Sequence, residues 1–302
     1  MTICAAWIRR VGGGEQVVLC SDSRLTGGRN MDYSPKLFAL SRGDVALAFG
    51  GGTDWAYPVL LQLATSVDTH GPSRDRAVDL PSLQRHVLRV LDRIAEGASS
   101  SIADMAVPDV EFLLGGYSWF QKRFHIWRIS YDKAHARFIG EPPNLVIGGH
   151  EQRPILALHR KPWKESRALV AFAGDAAKEA ETRFTDLLFK RYGSADPLIQ
   201  KGLEWEPFEV IRDMLRNTTA TSSIGGPPQV MCVYPHLQTR PLAIQWGADL
   251  VLGGRPLLDY ERSDLWTLDP DTLRISHPQY GVMQPRSHRS HFAVPDGGGA
   301  AE

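Results

Sequence analysis

The order of strand-like and helical segments constrains the fold of this chain most strongly. Residues 3–9, 16–22, 36–40 and 45–49 are apolar runs with the length and composition of strands. Two segments with a helical spacing of apolar residues follow, then further strands, two more helical segments and closing strands. Because the helices come in consecutive pairs between runs of strands, we predict layered sheets with helices on their outer faces.

Composition restricts the classes of partner and the location. The chain has 302 residues, of which 43% are hydrophobic, so it can bury a substantial core. Lys+Arg and Asp+Glu both number 34, and this balance argues against a nucleic-acid partner. No apolar run approaches the roughly 18 residues of a membrane span, and the N-terminus lacks a secretion leader. We expect a soluble, cytoplasmic protein with no membrane partner.

Metal and redox chemistry receive little support. Cys4, Cys20 and Cys232 lie in strand-like apolar runs, without the spacing of a metal or disulfide site. We interpret them as buried, unreactive thiols, which suits a reducing cytoplasm. His288 and His291 invite a metal site, but they fall in a polar C-terminal segment. We therefore predict neither a metal nor another cofactor.

The second residue offers a specific catalytic chemistry. Thr2 directly follows Met1, and its small side chain permits removal of the initiator methionine. Removal leaves a free α-amino group, with an ordinary pKa of about 7.7–8, on the residue that also carries the hydroxyl. Such an amine can take the proton of its own hydroxyl, as in enzymes with an N-terminal threonine nucleophile. A Met-Thr start has little weight alone, because many chains begin this way.

Further segments give this start a context. They are 19–28 (LCSDSRLTGG), 35–40 (PKLFAL), 48–54 (AFGGGTD), 172–176 (FAGDA) and 223–226 (SIGG). In their order and approximate spacing over residues 1–235, they resemble the proteasome β-type subunits of the N-terminal nucleophile hydrolase family. The short start is similar to that of the bacterial ancestral β-subunit group, and the bacterial HslV-type peptidases are the next comparison.

The resemblance implies a fold and an assembly. The fold is α+β, a four-layer αββα sandwich of the N-terminal nucleophile hydrolase type, here with a C-terminal extension. The resemblance also implies a homo-oligomeric ring or related multimer, hydrolysis of peptide or other amide bonds, and an ATP-dependent unfoldase as a further partner. We accordingly expect a hydrolase domain over 1–245, an extension over 246–283 that packs on this domain or on a neighbouring subunit, and a disordered tail over 284–302.

The resemblance also assigns catalytic roles. Thr2 would attack the substrate carbonyl through its hydroxyl, and its own amine, or a water held by that amine, would move the proton. Lys36 would lie close to Thr2, where its charge favours the neutral amine and the developing alkoxide. Asp22 would pair with Lys36 and keep that lysine charged and oriented. The backbone N–H of Gly50 would donate to the oxyanion.

Two further residues match substrate-binding positions of the family. Thr26 and Gly52 would hold the substrate backbone as an added strand. The site residues also have ordinary interpretations. Lys36 could be a surface lysine at a strand start, Asp22 a turn carboxylate, and 50–52 a tight strand-to-helix connection.

Three departures from the family pattern leave other functions open. Aligned without gaps, Met1 occupies the nucleophile position, and a one-residue shift along a strand turns a side chain to the opposite face. Asp175 stands where the family has a serine, so its carboxylate either orients the amine or raises the pKa of that amine. The region 221–224 lacks the family's aspartate and serine. The alternatives are a catalytically inactive scaffold or assembly subunit, and a small-molecule amidase.

Overall fold

The computed structural model describes residues 2–12, 14–27, 29–98, 107–148, 153–158, 169–193, 202–261 and 264–282. The helices are α1 (Thr53–Thr69), α2 (Gly71–Arg74), α3 (Leu80–Glu96), α4 (Ala177–Tyr192) and α5 (Glu206–Arg216), with a 3-10 turn at Asp259–Glu261. The first strands are β1 (Cys4–Val11), β2 (Gly14–Ser21), β3 (Leu25–Thr26), β4 (Asn30–Met31), β5 (Leu37–Ala39), β6 (Val45–Gly51), β7 (Val110–Ser118), β8 (Arg123–Asp132) and β9 (Arg137–Glu141). The later strands are β10 (Pro143–Gly148), β11 (Arg153–Leu158), β12 (Val170–Ala173), β13 (Gln229–Tyr234), β14 (Gln238–Trp246), β15 (Asp249–Leu252), β16 (Arg255–Pro256), β17 (Thr267–Leu268), β18 (Ile275–His277) and β19 (Gly281–Val282).

The first two strands form a hairpin, as the sequence predicts. β1 and β2 pair antiparallel, from the pair Cys4 and Ser21 to the pair Val11 and Gly14. Gly12 in the turn has a φ of 53°, a conformation that glycine adopts without strain. Most residues of both strands are buried on either face of the sheet. This is why their sequences are nearly continuous apolar runs rather than alternating ones.

The hairpin lies inside a ten-stranded sheet. Its strand order is β12-β1-β2-β13-β14-β17-β18-β19, with β15 and β16 attached through β14. The C-terminal strands join by a parallel pairing of β14 with β17 and an antiparallel pairing of β14 with β15. Val251, Leu268 and Ile275 of this segment are buried in the same apolar cluster as Trp7. The segment after Trp246 therefore extends the sheet and its core.

A five-stranded antiparallel sheet, β5-β6-β7-β8-β9, faces the large sheet. Ala6 and Leu19 of the large sheet and Ala46 and Leu113 of the smaller one belong to a single apolar cluster. A second cluster joins β6 and β7 to α1 and α3. A third joins β1, β2 and β13 to α4 and α5. Apolar side chains thus fill the space between the sheets and the space under the helices.

The prediction of a four-layer αββα sandwich, which the resemblance implies, is wrong for the described chain. The described chain is mainly antiparallel sheet, with 37% strand against 29% helix in five helices. The strands divide among the ten-stranded sheet, the five-stranded sheet and two separate pairs, β3-β4 and β10-β11. The segment after residue 245 adds short strands to the large sheet. Strands of two or three residues have no periodicity that a sequence could show.

The remaining predictions concern the domain boundary, the C-terminal tail, membrane spans and the cysteines. The boundary after residue 245 stays a prediction, and the predicted tail, 284–302, lies outside the described residues. In the part of the chain that the structure describes, no helix is both long and apolar enough to cross a membrane. Cys4, Cys20 and Cys232 are buried free thiols, as predicted. Burial raises the pKa of each thiol, to about 12 for Cys232, so the thiols stay protonated at neutral pH.

Candidate functional site

Thr2 lies just before β1 and is held by three hydrogen bonds. Its hydroxyl accepts from Lys36 Nζ at 3.2 Å, its backbone N–H donates to Asp175 Oδ2 at 3.1 Å, and its carbonyl accepts from the Ala176 N–H at 3.3 Å. Thr2 is 2% exposed. The regular strand begins only at Cys4, so strand alternation does not fix the direction of the Thr2 side chain. That side chain therefore reaches the lysine despite the one-residue offset in the alignment.

Lys36 immediately precedes β5, and its side chain is fully buried. Its ammonium group donates to Thr2 Oγ1, to Asp22 Oδ1 at 2.7 Å and to the Arg24 carbonyl at 2.6 Å. An ammonium group has three protons, so these three oxygens satisfy it completely. Its nitrogen is consequently fixed next to the Thr2 hydroxyl.

Asp22 follows β2 and is also fully buried. Besides Lys36, its carboxylate accepts from the backbone N–H groups of Ile3 at 3.2 Å, Arg24 at 3.2 Å and Gly225 at 3.1 Å. Donors in this number stabilise the ionised carboxylate. The ordinary interpretations, a surface lysine and a turn carboxylate, are therefore wrong for this pair.

Burial and charge act in opposite directions on the pair. Burial lowers the pKa of Lys36, whereas the charge of Asp22 and its hydrogen bond raise it. Burial raises the pKa of Asp22, which Lys36 and the backbone donors lower. The ordinary pKa values of lysine and aspartate lie more than about six pH units apart. The 2.7 Å ion pair favours the charged forms, whereas burial gives Lys36 a lower pKa than a lysine in water has.

Gly174 and Gly50 bring the turn after β12 against the end of β6. Gly174 has a φ of 96°, and a Cβ on it would lie 2.3 Å from the Thr2 carbonyl oxygen. A Cβ on Gly50 would lie 2.5 Å from Gly174 Cα. Glu111 fixes the turn by accepting from the Gly174 N–H at 3.0 Å and by pairing with Arg128 at 2.6 Å. Gly50 thus packs against Gly174, and Gly174 in turn packs against Thr2. The role of Gly50 as oxyanion donor stays a prediction.

The two predicted substrate-binding residues are held by other parts of the chain. Thr26 lies in β3 and pairs with Asn30 of β4. Gly52 precedes α1, where its N–H donates to the Asp109 carbonyl at 2.6 Å and its carbonyl accepts from the Ala56 N–H at 3.0 Å. Since the N–H of Gly52 is already bonded, only its carbonyl has capacity left for a substrate strand. Both assignments stay predictions.

Gln229 of β13 joins the backbone segments around the site and is 2% exposed. Its side-chain oxygen accepts from the Lys36 N–H at 3.0 Å. Its side-chain nitrogen donates to the Asp22 carbonyl at 3.1 Å and to the Ser34 carbonyl at 2.8 Å. Gln229 is absent from the predicted site. The only sequence signal for it is a lone amide at the start of an apolar strand, where a buried polar group needs partners.

We expect Gln229→Leu to lower the free energy of unfolding by about 2–4 kcal/mol. The substitution leaves the Lys36 N–H and two buried carbonyls without their partner, and each unsatisfied group costs about 1–3 kcal/mol. Gln245→Leu is the matched control, because Gln245 is exposed on β14 and donates to the Gly247 carbonyl. Urea unfolding measures both variants. Equal losses would contradict a specific role for Gln229.

Arg24 links the site to the loop at 219–222. Its guanidinium donates to the Asp32 carboxylate at 2.6 and 2.9 Å. It also donates to the carbonyls of Thr219 at 2.8 Å and Ser222 at 2.9 Å. The region 221–224, which departs from the family pattern, therefore contributes the Ser222 carbonyl to Arg24, and the Gly225 N–H just after it donates to Asp22.

The described site consists of a hydroxyl, an ammonium group and two carboxylates. Within the described ranges, no group of three or more His, Cys, Asp and Glu side chains is arranged to hold a metal ion. His288 and His291 lie outside those ranges.

Comparison with known proteins does not assign this chain to a family. The sequence matches no protein-family model and no curated protein at a significant level. The interpretation of the site therefore depends on its geometry. Thr2 and Asp22 both contact Lys36, and Asp175 contacts the Thr2 backbone. Such a group can hold a hydroxyl beside a fixed positive charge, which stabilises an alkoxide as it develops.

Proposed function

We propose that this chain is an amide hydrolase with an N-terminal threonine nucleophile, related to the proteasome β-type subunits. The observation that carries the proposal is the 3.2 Å distance from Lys36 Nζ to the Thr2 hydroxyl, beside a fully buried Lys36–Asp22 pair. A fixed charge in a site shielded from water stabilises a developing alkoxide far more than it would in solution.

The reaction proceeds in two balanced steps once Met1 is removed. First, the Thr2 oxygen bonds to the substrate carbonyl carbon while its proton passes to the new α-amino nitrogen. Collapse of the tetrahedral oxyanion breaks the carbon–nitrogen bond, and the leaving amine takes that proton. A water then hydrolyses the ester on Thr2 by the same proton movements, which releases the acid and restores the hydroxyl. Lys36 stays protonated throughout.

Asp175 orients the nitrogen that becomes the amine. The Thr2 N–H donates to Asp175 Oδ2 at 3.1 Å. A carboxylate at this distance raises the pKa of an amine, whereas the charge of Lys36 lowers it. Asp175 is exposed and Lys36 is buried, so solvent screens the first effect more than the second. We therefore assign Asp175 to orientation and Lys36 to control of the amine's protonation.

The proposal extends to substrate, assembly and location. Peptide or other amide bonds are the substrates, and the chain assembles with copies of itself into a ring or related multimer. An ATP-dependent unfoldase joins the assembly if the substrates are folded proteins. The cytoplasm is the location, because free buried thiols belong in a reducing compartment.

A catalytically inactive scaffold is the second candidate, and the burial of Thr2 favours it. Thr2 is 2% exposed, and its N–H and carbonyl both bond to the turn at 174–176. Such bonding also suits a residue that only closes the end of a sheet. The two candidates differ in one requirement, because a hydrolase needs Met1 removed and Thr2 reachable. A small-molecule amidase would use the same residues on a different substrate.

Thr2→Ala should lower the rate of amide-reporter cleavage by on the order of 10⁴-fold or more. The variant lacks the nucleophile and keeps only binding and oxyanion stabilisation. Thr2→Ser keeps a hydroxyl beside Lys36 and permits methionine removal, so it should retain measurable activity. Both variants are assayed as full chains with peptide and simple amide reporters. Full activity in Thr2→Ala would exclude Thr2 as the nucleophile.

Intact-mass measurement separates the hydrolase from the scaffold. The hydrolase has the mass of the chain without Met1 and gains the mass of an electrophile that captures N-terminal threonines. Thr2→Ala gains no such mass. A retained Met1 together with an unlabelled chain supports the scaffold.

A further inference from the structure

The turn that contacts Thr2 is tied to the smaller sheet by one side chain. This turn, at the end of β12, holds Thr2 in two places. Asp175 Oδ2 accepts from the Thr2 N–H at 3.1 Å, and the Ala176 N–H donates to the Thr2 carbonyl at 3.3 Å. The first N–H of the turn, that of Gly174, donates to Glu111 of β7 at 3.0 Å. This last hydrogen bond connects the two sheets at the end where the candidate site lies.

Strand pairing places Glu111 on the face of the smaller sheet that points toward the large sheet. Glu111 shares this face with Leu113, two residues along β7, and Leu113 belongs to the apolar cluster between the sheets. Glu111 also lies opposite Gly50 in the pairing of β6 with β7. Because Gly50 has no side chain, Gly174 approaches β6 closely, and a Cβ on Gly50 would lie 2.5 Å from Gly174 Cα. The Glu111 carboxylate thereby reaches the Gly174 N–H.

Arg128 fixes the orientation of the Glu111 carboxylate. Arg128 of β8 lies directly opposite Leu113, so it is on the same face as Glu111 and diagonal to it. Its Nη2 donates to Glu111 Oε1 at 2.6 Å, while Glu111 Oε2 accepts from the Gly174 N–H. Each carboxylate oxygen therefore has its own donor, and a rotation of the carboxylate would break both bonds.

Arg128 also balances the charge of Glu111. The two opposite charges are 2.6 Å apart, so together they add little net charge near the Thr2 nitrogen. Asp175 differs, because its carboxylate contacts that nitrogen directly. The contribution of Glu111 to the site is therefore the reach of its oxygen rather than its charge.

We propose that Glu111 is a positioning residue for the hydrolysis. It holds the Gly174 N–H, and through the turn it keeps the Asp175 carboxylate at the nitrogen that becomes the Thr2 amine. This inference rests on the proposed function, in which that amine takes the proton of the Thr2 hydroxyl. A displacement of about 1 Å in such a group lowers a rate by on the order of 100-fold, because the reacting atoms lose their alignment.

Two substitutions in the full chain separate the reach of Glu111 from its charge. Glu111→Asp keeps the charge but shortens the side chain by roughly 1.5 Å, so its oxygen no longer reaches the Gly174 N–H. Glu111→Gln keeps an oxygen at that place and loses the charge. We expect Glu111→Asp to lower kcat for reporter cleavage by on the order of 100-fold with little change in KM. Glu111→Gln should keep a kcat at least about ten times that of Glu111→Asp.

A control and a second measurement separate positioning from a loss of folding. Glu96→Asp is the matched control, because Glu96 is exposed on α3 and also pairs with an arginine, Arg93, at 2.7 Å. It should leave kcat unchanged. Urea unfolding gives the folded fraction under assay conditions, and kcat is expressed per folded chain. If Glu111→Gln does not fold with Arg128 unpaired, its combination with Arg128→Met keeps the oxygen and removes the uncompensated cation, and it should show the same advantage over Glu111→Asp.

The outcomes distinguish this inference from the proposed function. A lower kcat in Glu111→Gln than in Glu111→Asp would show that the charge matters and would overturn the positioning role. Equal effects of the two substitutions in an active enzyme would also overturn it, and the proposed function would stand. A wild type that neither cleaves reporters nor reacts with an electrophile that captures N-terminal threonines overturns the proposed function, and the role of Glu111 with it.

Discussion

Replacing Lys36 with methionine is expected to abolish amide hydrolysis and to lower the free energy of unfolding by about 3–5 kcal/mol. Methionine keeps most of the side-chain volume but removes the ammonium group beside Thr2, so the developing alkoxide loses its stabilising charge. The loss of stability arises because the Asp22 carboxylate, which is fully buried, loses its cation. Reporter cleavage and urea unfolding measure the two effects separately.

A second substitution separates charge from packing in this experiment. Combining Lys36→Met with Asp22→Asn removes both charges, while an asparagine oxygen at the place of Asp22 Oδ2 still accepts from the N–H groups of Arg24 and Gly225. We expect the double variant to recover at least about 1 kcal/mol of stability but no activity. Lys178→Met is the control, because Lys178 is exposed on α4, and it should change neither quantity. A Lys36→Met chain as stable as the wild type would contradict a buried ion pair.

Gly174→Ala is expected to lower the free energy of unfolding by about 3 kcal/mol or more and to reduce hydrolysis with it. The φ of 96° is unfavourable for alanine. A Cβ at this position would also meet the Thr2 carbonyl oxygen at 2.3 Å. Because that oxygen belongs to the backbone, relief of the contact must move either the Thr2 main chain or the turn that holds it. Urea unfolding and reporter cleavage are the measurements.

Gly193→Ala isolates the contribution of the close contact. Gly193 also has a positive φ, of 69°, but nothing lies within 4 Å of the position of an added Cβ. Its substitution should cost only the backbone strain, about 1–2 kcal/mol. If both glycine variants lose the same stability, the close contact between the turn and Thr2 does not exist in solution.

The contacts among Thr2, Asp22 and Lys36 could be predicted because these residues lie in short motifs. The motifs place each residue at the end of a strand or just before one, and the antiparallel pairing of β1 with β2 brings Ile3 beside Asp22. The direction of the Thr2 side chain could not be derived from the sequence. It depends on the two residues before β1, which strand alternation does not govern.

Gln229 and Glu111 could not be predicted for a different reason. Each is a single polar residue on a strand, and its role depends on which strands are neighbours. Gln229 reaches the site because it pairs with Ser21 at the end of β2. The architecture of the C-terminal segment was equally hidden, because it depends on strands as short as β17 and on a parallel pairing with β14. No local pattern specifies such a pairing.

Arg24 contacts both the outer loop at 219–222 and the buried Lys36. Its guanidinium donates to carbonyls of the loop at 219–222, while its own carbonyl accepts a hydrogen bond from the Lys36 ammonium group. A displacement of the loop must therefore break the guanidinium bonds or pull on that carbonyl. The outer loop and the lysine beside Thr2 are thus connected through the side chain and the main chain of a single residue.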